Sequence, residues 1–528
     1  MTSATLLLRA AAAAARAAVA SVRRFTATGA LAAVALAPMG AEFRVDSYTA
    51  KRHTAAQVAA ADDGSFVVVW SARDEGSEYE VFARLFDGQG TPRGGEFAIS
   101  AHQSGSQIQP VPAILDQGRF IVAWSSFGQD GDNFGVFARR FDHAGVPLAV
   151  EFQVNAYTPN EQLTPALAAN ADGDTVITWS SQHQDGAVLG VFGRLFDGAG
   201  IAQGREFQVN VSTTHNEARP DVDIDDQGAF VVSWGAGNSV FARRFDSAAA
   251  PVSADFQVNT STTDDHGGAS VSLDQSGSFL LTWESFGQDG SANGVFARRF
   301  GADGSPQATE FQINVTTLSL QLDPSLTMGP DGDFVVAWAS YSQDGGGLGV
   351  FARTFETDGT PTSGELQVNS YTPGDQSEPR IAMDGDGDMV VTWRTLDEFR
   401  TRGSVFAQRY AGPTLDVDED AEVASLTDGV LILRFLFGFT EEALTPGAVD
   451  LASCQRCSNE AVAAHLATIA PSLDVDGNGE ALALTDGILV LRWLFGFTGT
   501  VLVGNAVDLV NCTRCTASSI EAYLETLR

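Results

Sequence analysis

The stretch FIVAWSSFGQDGDNFGVFARRFDHAGVPLAVEFQVN, Phe120–Asn155, decides the fold. It contains three short runs rich in β-branched and aromatic residues: FIVAW (Phe120–Trp124), VFARRF (Val136–Phe141) and EFQVN (Glu151–Asn155). Gly, Asp and Asn fill the gaps. That composition and punctuation belong to strands joined by tight turns. A fourth run, PAIL (Pro112–Leu115), comes just before the set, ahead of a glycine turn. Four strands connected in this way make one antiparallel sheet.

The pattern recurs along the chain. Trp70, Trp124, Trp179, Trp234, Trp283, Trp338 and Trp393 stand 54, 55, 55, 49, 55 and 55 residues apart. QDG loops follow at Gln129–Gly131, Gln184–Gly186, Gln288–Gly290 and Gln343–Gly345. They read as polar hairpin tips, since each offers a calcium ion a single Asp. The short interval belongs to WGAGNSVF (Trp234–Phe241), which lacks the loop and keeps its strands. A lone four-stranded sheet cannot cover both its faces, so the repeats must stack. The pattern predicts a mainly β protein, a seven-bladed β-propeller over residues 42–412.

The ends extend the same logic. The seventh repeat reaches VFAQRY (Val405–Tyr410) and stops without an EFQVN segment, while EFRVD (Glu42–Asp46) precedes the first Trp hairpin. Residues 42–46 are therefore expected to supply the outer strand of the last blade. Closure leaves no edge open to stray pairing, whereas an open solenoid has no need of this exchange.

An Arg recurs between the two Phe of the third strand: Arg84, Arg139, Arg194, Arg243, Arg298 and Arg353, with Gln408 in the seventh repeat. Such an Arg needs a partner or a path to water. The acids before the fourth strand, Glu96, Glu151, Glu206, Asp255, Glu310 and Glu365, are the expected partners. A ring of arginines facing a ligand is the alternative.

Acids outnumber bases 66 to 31 over 528 residues, giving a formal charge of −35. This argues against nucleic acid or an anionic membrane surface as partner. No run of 18 apolar residues exists, so no membrane span is expected. Residues 1–40 hold four Arg and no acid, and Phe25–Met39 is a short apolar stretch followed by small residues. The segment reads as an export signal.

The seven histidines occupy different repeat positions and form no triad or ligand motif. No G-x-S-x-G, H-E-x-x-H or phosphate loop occurs. Near-identical blades offer no singular reacting centre, so no catalytic residue is assigned. Paired carboxylates for glycoside hydrolysis are the enzymatic alternative. The repeat GQDG…GVFARRFD…EFQVN resembles one found in large secreted bacterial surface proteins, which implies a binding role at or beyond the cell surface.

After Gly412 a new unit appears twice: LDVDEDAEVASLTDGVLILRFLFGF (Leu415–Phe439) and LDVDGNGEALALTDGILVLRWLFGF (Leu473–Phe497). Calcium takes six to eight hard oxygens from a short loop. Asp474, Asp476 and Asn478 stand at loop positions 1, 3 and 5, Gly479 allows the sharp turn, Glu480 offers its carbonyl and Asp486 closes the loop. The first copy offers Asp416, Asp418, Asp420, the Glu422 carbonyl and Asp428. The helices read Val430, Leu433, Arg434, Phe437 and Ile488, Leu491, Arg492, Phe495, an apolar stripe expected to form the shared core.

Residues 415–528 resemble the dockerin family of paired EF-hand-like modules. The resemblance implies a small all-α domain over 413–528, bound Ca2+ and a cohesin-like docking partner. The chain departs from the family where Ala421 replaces the turn Gly, where the closing Asp falls at position 13, and where Ser425–Leu426 and Ala483–Leu484 stand at the docking positions. By analogy the resemblance also links the chain to polysaccharide-degrading systems. All four cysteines lie here, as Cys454, Cys457, Cys512 and Cys515. Structural disulfides are expected, within each C-x-x-C or across the copies; a zinc site and a redox dithiol are the alternatives.

The expectation is an exported calcium-binding protein that attaches to a glycan or a cell-surface protein. A glycan-active hydrolase and a passive surface element are the alternatives.

Overall fold

The computed structural model describes residues 37–528, apart from 49–50, 263–264, 330–331, 386, 397–402, 413–414, 419–422, 441–442, 450, 452–453, 455, 526 and 528. Residues 1–36, which hold most of the expected export signal, and the ligand candidates Asp420 and Glu422 lie outside the described residues.

Seven antiparallel sheets form the propeller. Blade two is typical: Gln107–Ile114 pairs with Phe120–Phe127, which pairs with Phe134–Phe141, which pairs with Phe152–Gln153. Register sets Trp124 opposite Phe137 and Phe120 opposite Phe141, where the two rings stack at 5.0 Å. The alternation of FIVAW then serves two interfaces. Phe120, Val122 and Trp124 pack on blade one; Ile121 and Ala123 pack on blade three. Each of the seven interfaces holds its own buried cluster, and blade seven packs on blade one through Val390, Val405 and Ala407.

The ring closes as the end segments require. Phe43–Arg44 pairs with Phe406–Ala407, and Val45 N–H bonds to the Val405 carbonyl. Pairing begins earlier than the EFRVD segment, with Ala37 opposite Ala411 and Pro38 opposite Tyr410. In blade four the shortened hairpin turns between Ala236 and Ser239.

The recurring arginines find partners other than the expected carboxylates. Their Nη1 atoms donate to main-chain carbonyls of the preceding blade at 2.7–3.0 Å, as from Arg139 to Ile99 and from Arg194 to Val154. Each guanidinium also lies over the next Phe ring of its own strand. The acids accept main-chain N–H groups from the preceding blade, as Glu151 does from Ala101 at 2.7 Å. Glu42 does the same for Ser370 at the closure, at 2.6 Å. Gln129, Gln184, Gln288 and Gln343 of the QDG loops aim these carboxylates, donating at 2.7–2.9 Å. Arg and acid thus form two separate latches between blades. Both recur with the period, except that Gln408 takes the Arg position in blade seven, and that shared period is why spacing alone paired them.

The tail has a separate core around Leu431, Ile432, Leu466, Leu489, Val490 and Ile520. Helices Asp428–Leu436 and Asp486–Leu494 meet through glycines. A Cβ at Gly429 would stand 3.0 Å from Leu491 Cδ1, and one at Gly487 would stand 2.9 Å from Leu433 Cδ1. The predicted stripe holds in part: Val430 and Ile488 pack on the core and Leu433 and Leu491 meet the partner helix, but the fully buried residues are Leu431, Ile432, Leu489 and Val490, and Phe437 and Phe495 are half exposed. Each helix ends at these phenylalanines, so they sit beyond the helix–helix contact.

Candidate metal loops and the axial mouth

The two tail loops bring their acids together. Asp416, Asp418 and Asp428 form one triad; Asp474, Asp476 and Asp486 form the other. One oxygen from each member lies within 4.8 Å of the others. Two oxygens on one calcium, each at about 2.4 Å, stand no farther apart than that.

Asp486 occupies the first helical turn and holds the loop shut. Its Oδ1 accepts from Val475 and Asp476 N–H, and its Oδ2 from Leu482 N–H and the Thr485 hydroxyl. Asp428 repeats these bonds with Val417, Asp418, Ala424 and Thr427. Asp474 accepts from Asn478 and Gly479 N–H, and Gly479 takes the expected left-handed turn at φ +91°. Asp476 uses Oδ2 to accept from Asp508 N–H, while its buried Oδ1 has no partner. Asn478 Oδ1 accepts from Glu480 N–H. Burial raises the Asp428 carboxyl to about 6 against its N–H bonds, and burial with Asp486 and Asp474 nearby raises Asp476. A buried carboxylate oxygen without a donor is costly. A hard cation suits that donor set, so the residues fit calcium.

The cysteines close locally, Cys454 to Cys457 and Cys512 to Cys515. Each ring encloses an Arg that grips its acidic loop. Arg514 donates to the Asp474 and Val475 carbonyls, and Arg456 to those of Asp416 and Val417. Their N–H groups bond to the carbonyls of Asp476 and Asp418.

The propeller axis carries a second constellation, which the sequence reading passed over. The seven inner strands each contain a bulge whose third residue is left-handed: Ala55, Gln109, Thr164, Arg219, Gly268, Asp323 and Glu378, with φ from 52 to 60°. The residue after each Trp stands beside it: Ser71, Ser125, Ser180, Gly235, Glu284, Ala339 and Arg394. The exchanges compensate. The bulges at Arg219 and Asp323 follow the pairs Ala218–Gly235 and Leu322–Ala339, and Gly268 leaves room for Glu284, whose Oε1 would lie 3.0 Å from a Cβ there. In blade seven Arg394 pairs with Glu378 at 2.8 Å.

Some of these groups cap the free inner edges. Glu378 accepts from Ala55 N–H, Gln109 from Thr164 N–H and Glu284 from Asp323 N–H. Asp221 and Asp223 do so for Val271 and Leu273 N–H. Arg219, Asp323 and Arg380 remain outside any ion pair among the described residues. Burial raises the Asp323 carboxyl despite Arg380 and Arg219 in range, and burial raises Glu284 as well. The signal was present in the sequence. The bulge position carries a different residue in each of the seven blades.

No protein-family model matches the chain, and no curated protein does. Among solved structures it is similar to a protein of unknown function from Dyadobacter fermentans, at 12% identity and TM-score 0.45, covering 70% of this chain and 98% of that one. An ulvan lyase shares 10% identity at TM-score 0.43, covering 72% and 95%. An α-L-arabinofuranosidase from Lactobacillus brevis shares 11% at TM-score 0.32, covering 53% and 98%. At such identities a shared fold says nothing of chemistry. Among the described residues no helix is long and apolar enough to cross a membrane.

Proposed function

We propose that the chain is an exported binding protein whose propeller holds a glycan and whose tail binds calcium. The observation that carries the calcium reading is the twice-repeated carboxylate triad, with the buried Asp476 Oδ1 lacking any donor. Asp416, Asp418 and Asp428 hold one ion; Asp474, Asp476 and Asp486 hold the other. Calcium supplies positive charge that offsets the repulsion of the clustered carboxylates and favours the folded loop. The disulfides suit an oxidising compartment, in keeping with export. The dockerin resemblance supports a second, protein partner for the tail.

Calorimetric titration of the EDTA-stripped full chain with calcium tests this. Two binding events are expected, one of them lost in Asp476→Ala. An unchanged titration in that variant refutes the assignment.

A glycan-active hydrolase is the second reading, favoured by the raised carboxyls of Glu284 and Asp323 on the axis. Release of reducing sugar from a polysaccharide panel, lost in Asp323→Asn, would establish it in place of simple binding.

A further inference from the structure

Each second strand runs back along its inner strand, so its end lies beside the inner strand's start. Phe127 N–H bonds to the Ser106 carbonyl, Phe286 N–H to that of Asp265 and Tyr341 N–H to that of Leu320. The bulge residues sit within a few positions of the same end. Arg219, Asp323 and the three aromatic residues therefore share one end of the propeller, the end that carries the QDG hairpins.

The two ends differ in what they expose. Phe127, Phe286, Tyr341, Tyr48 and Tyr371 are the exposed aromatics of the described propeller residues, and all lie at the QDG end. Aliphatic side chains are exposed at both ends, as Val188, Val315 and Leu318 at the QDG end and Val146, Leu148 and Ile201 at the opposite one, so the aromatics alone distinguish them. Tyr341, Phe127 and Phe286 are 42 to 49% exposed and belong to none of the buried blade clusters, although Phe127 meets Phe134 edge-on at 5.2 Å. They stand at the same end of the propeller as the axial groups.

We propose that this axial mouth is a binding site for a neutral polysaccharide, with Arg219, Asp323 and Arg380 as its polar floor and Phe127, Phe286 and Tyr341 as its rim. The chemistry follows from what each group can do. A guanidinium only donates and a carboxylate only accepts, whereas a sugar hydroxyl does both. Vicinal hydroxyls bridging the Arg and Asp groups satisfy both, and forked pairs fix orientation. Aromatic faces present flat apolar area to the C–H face of a pyranose ring. Among the described residues Asp323 forms no ion pair with Arg219 or Arg380, although both arginines and Glu378 lie in electrostatic range of it. A chain of net charge −35 repels a polyanion, so the polymer is neutral.

This inference rests on the glycan-binding reading above, and affinity gel electrophoresis of the full calcium-loaded chain separates the two. The gels carry laminarin, xylan or arabinan, and alginate or polygalacturonate as acidic counterparts. Retardation by at least one neutral polymer is expected. Arg219→Ala, Asp323→Asn and the pair Phe286→Ala with Tyr341→Ala should each weaken it at least tenfold. Ile201→Ser, at the opposite end, should leave it unchanged. No retardation of the parent by any polymer overturns glycan binding itself. Retardation that survives the axial and rim variants overturns only the site. Retardation by the acidic polymers alone overturns the neutral ligand.

Discussion

Arg139 and Glu151 stand on one blade, and both reach the main chain of the blade before it. Losing Arg139 removes a carbonyl contact and stacking on Phe141, whose centroid is 5.6 Å away. We expect Arg139→Ala to cost about 1–2 kcal/mol, and Glu151→Ala about 0.5–1 kcal/mol, because the exposed Ala101 N–H it releases turns to water. A double-mutant cycle by denaturant unfolding should give a coupling below about 0.5 kcal/mol, as for independent contacts. Strong coupling would restore the ion pair that sequence spacing suggested. Asp223 sets a pH dependence at this same scale. Burial raises its carboxyl from 3.8 to about 6. The folded chain then holds this proton more tightly than the unfolded chain. The stabilisation is full below 3.8 and is lost as pH climbs through about 6, by no more than about 3 kcal/mol. Melting followed from pH 4 to 7 should fall more steeply for the parent chain than for Asp223→Asn; equal slopes would contradict the assignment.

Among elements, the C-x-R-C ring and the acidic loop form one unit. The disulfide fixes the turn that presents Arg514 to the Asp474 and Val475 carbonyls. Reduction, or Arg514→Ala, should lower calcium affinity of the second loop at least threefold while the propeller melts unchanged. Calorimetry with and without dithiothreitol reads this directly, and equal affinities would separate clamp from loop. The paired helices depend on close approach. Gly487→Ala forces a methyl against Leu433 and Leu436 and should destabilise the tail by about 1–3 kcal/mol, seen as earlier melting of its helical signal. The acidic loops were legible because ligand spacing within a loop is local. The helix face was legible only in part: Leu433 and Leu491 do meet the partner helix, but periodicity could not show that Leu431, Ile432, Leu489 and Val490 would be the fully buried residues.

At the scale of the whole molecule, one short segment closes the ring. Residues 43–46 pair with the third strand of blade seven, and Asp46 accepts from Val405 N–H at 2.6 Å. Deleting the chain through Asp46 exposes that edge and should lower the melting temperature and promote aggregation, measurable by calorimetry and light scattering. A truncated chain that melts like the parent would show that closure adds nothing. Strand type, blade number, ring closure and the paired acidic loops are determined by the sequence alone, because period, turn residues and ligand spacing act over a few neighbours. Which arginine meets which carbonyl, how the cysteines pair and which face of each tail helix is covered were decided only by the tertiary structure. So was the gathering of Arg219, Asp323 and Arg380 on one axis. Those residues are more than 50 positions apart from one blade to the next, and only the closed ring brings them together.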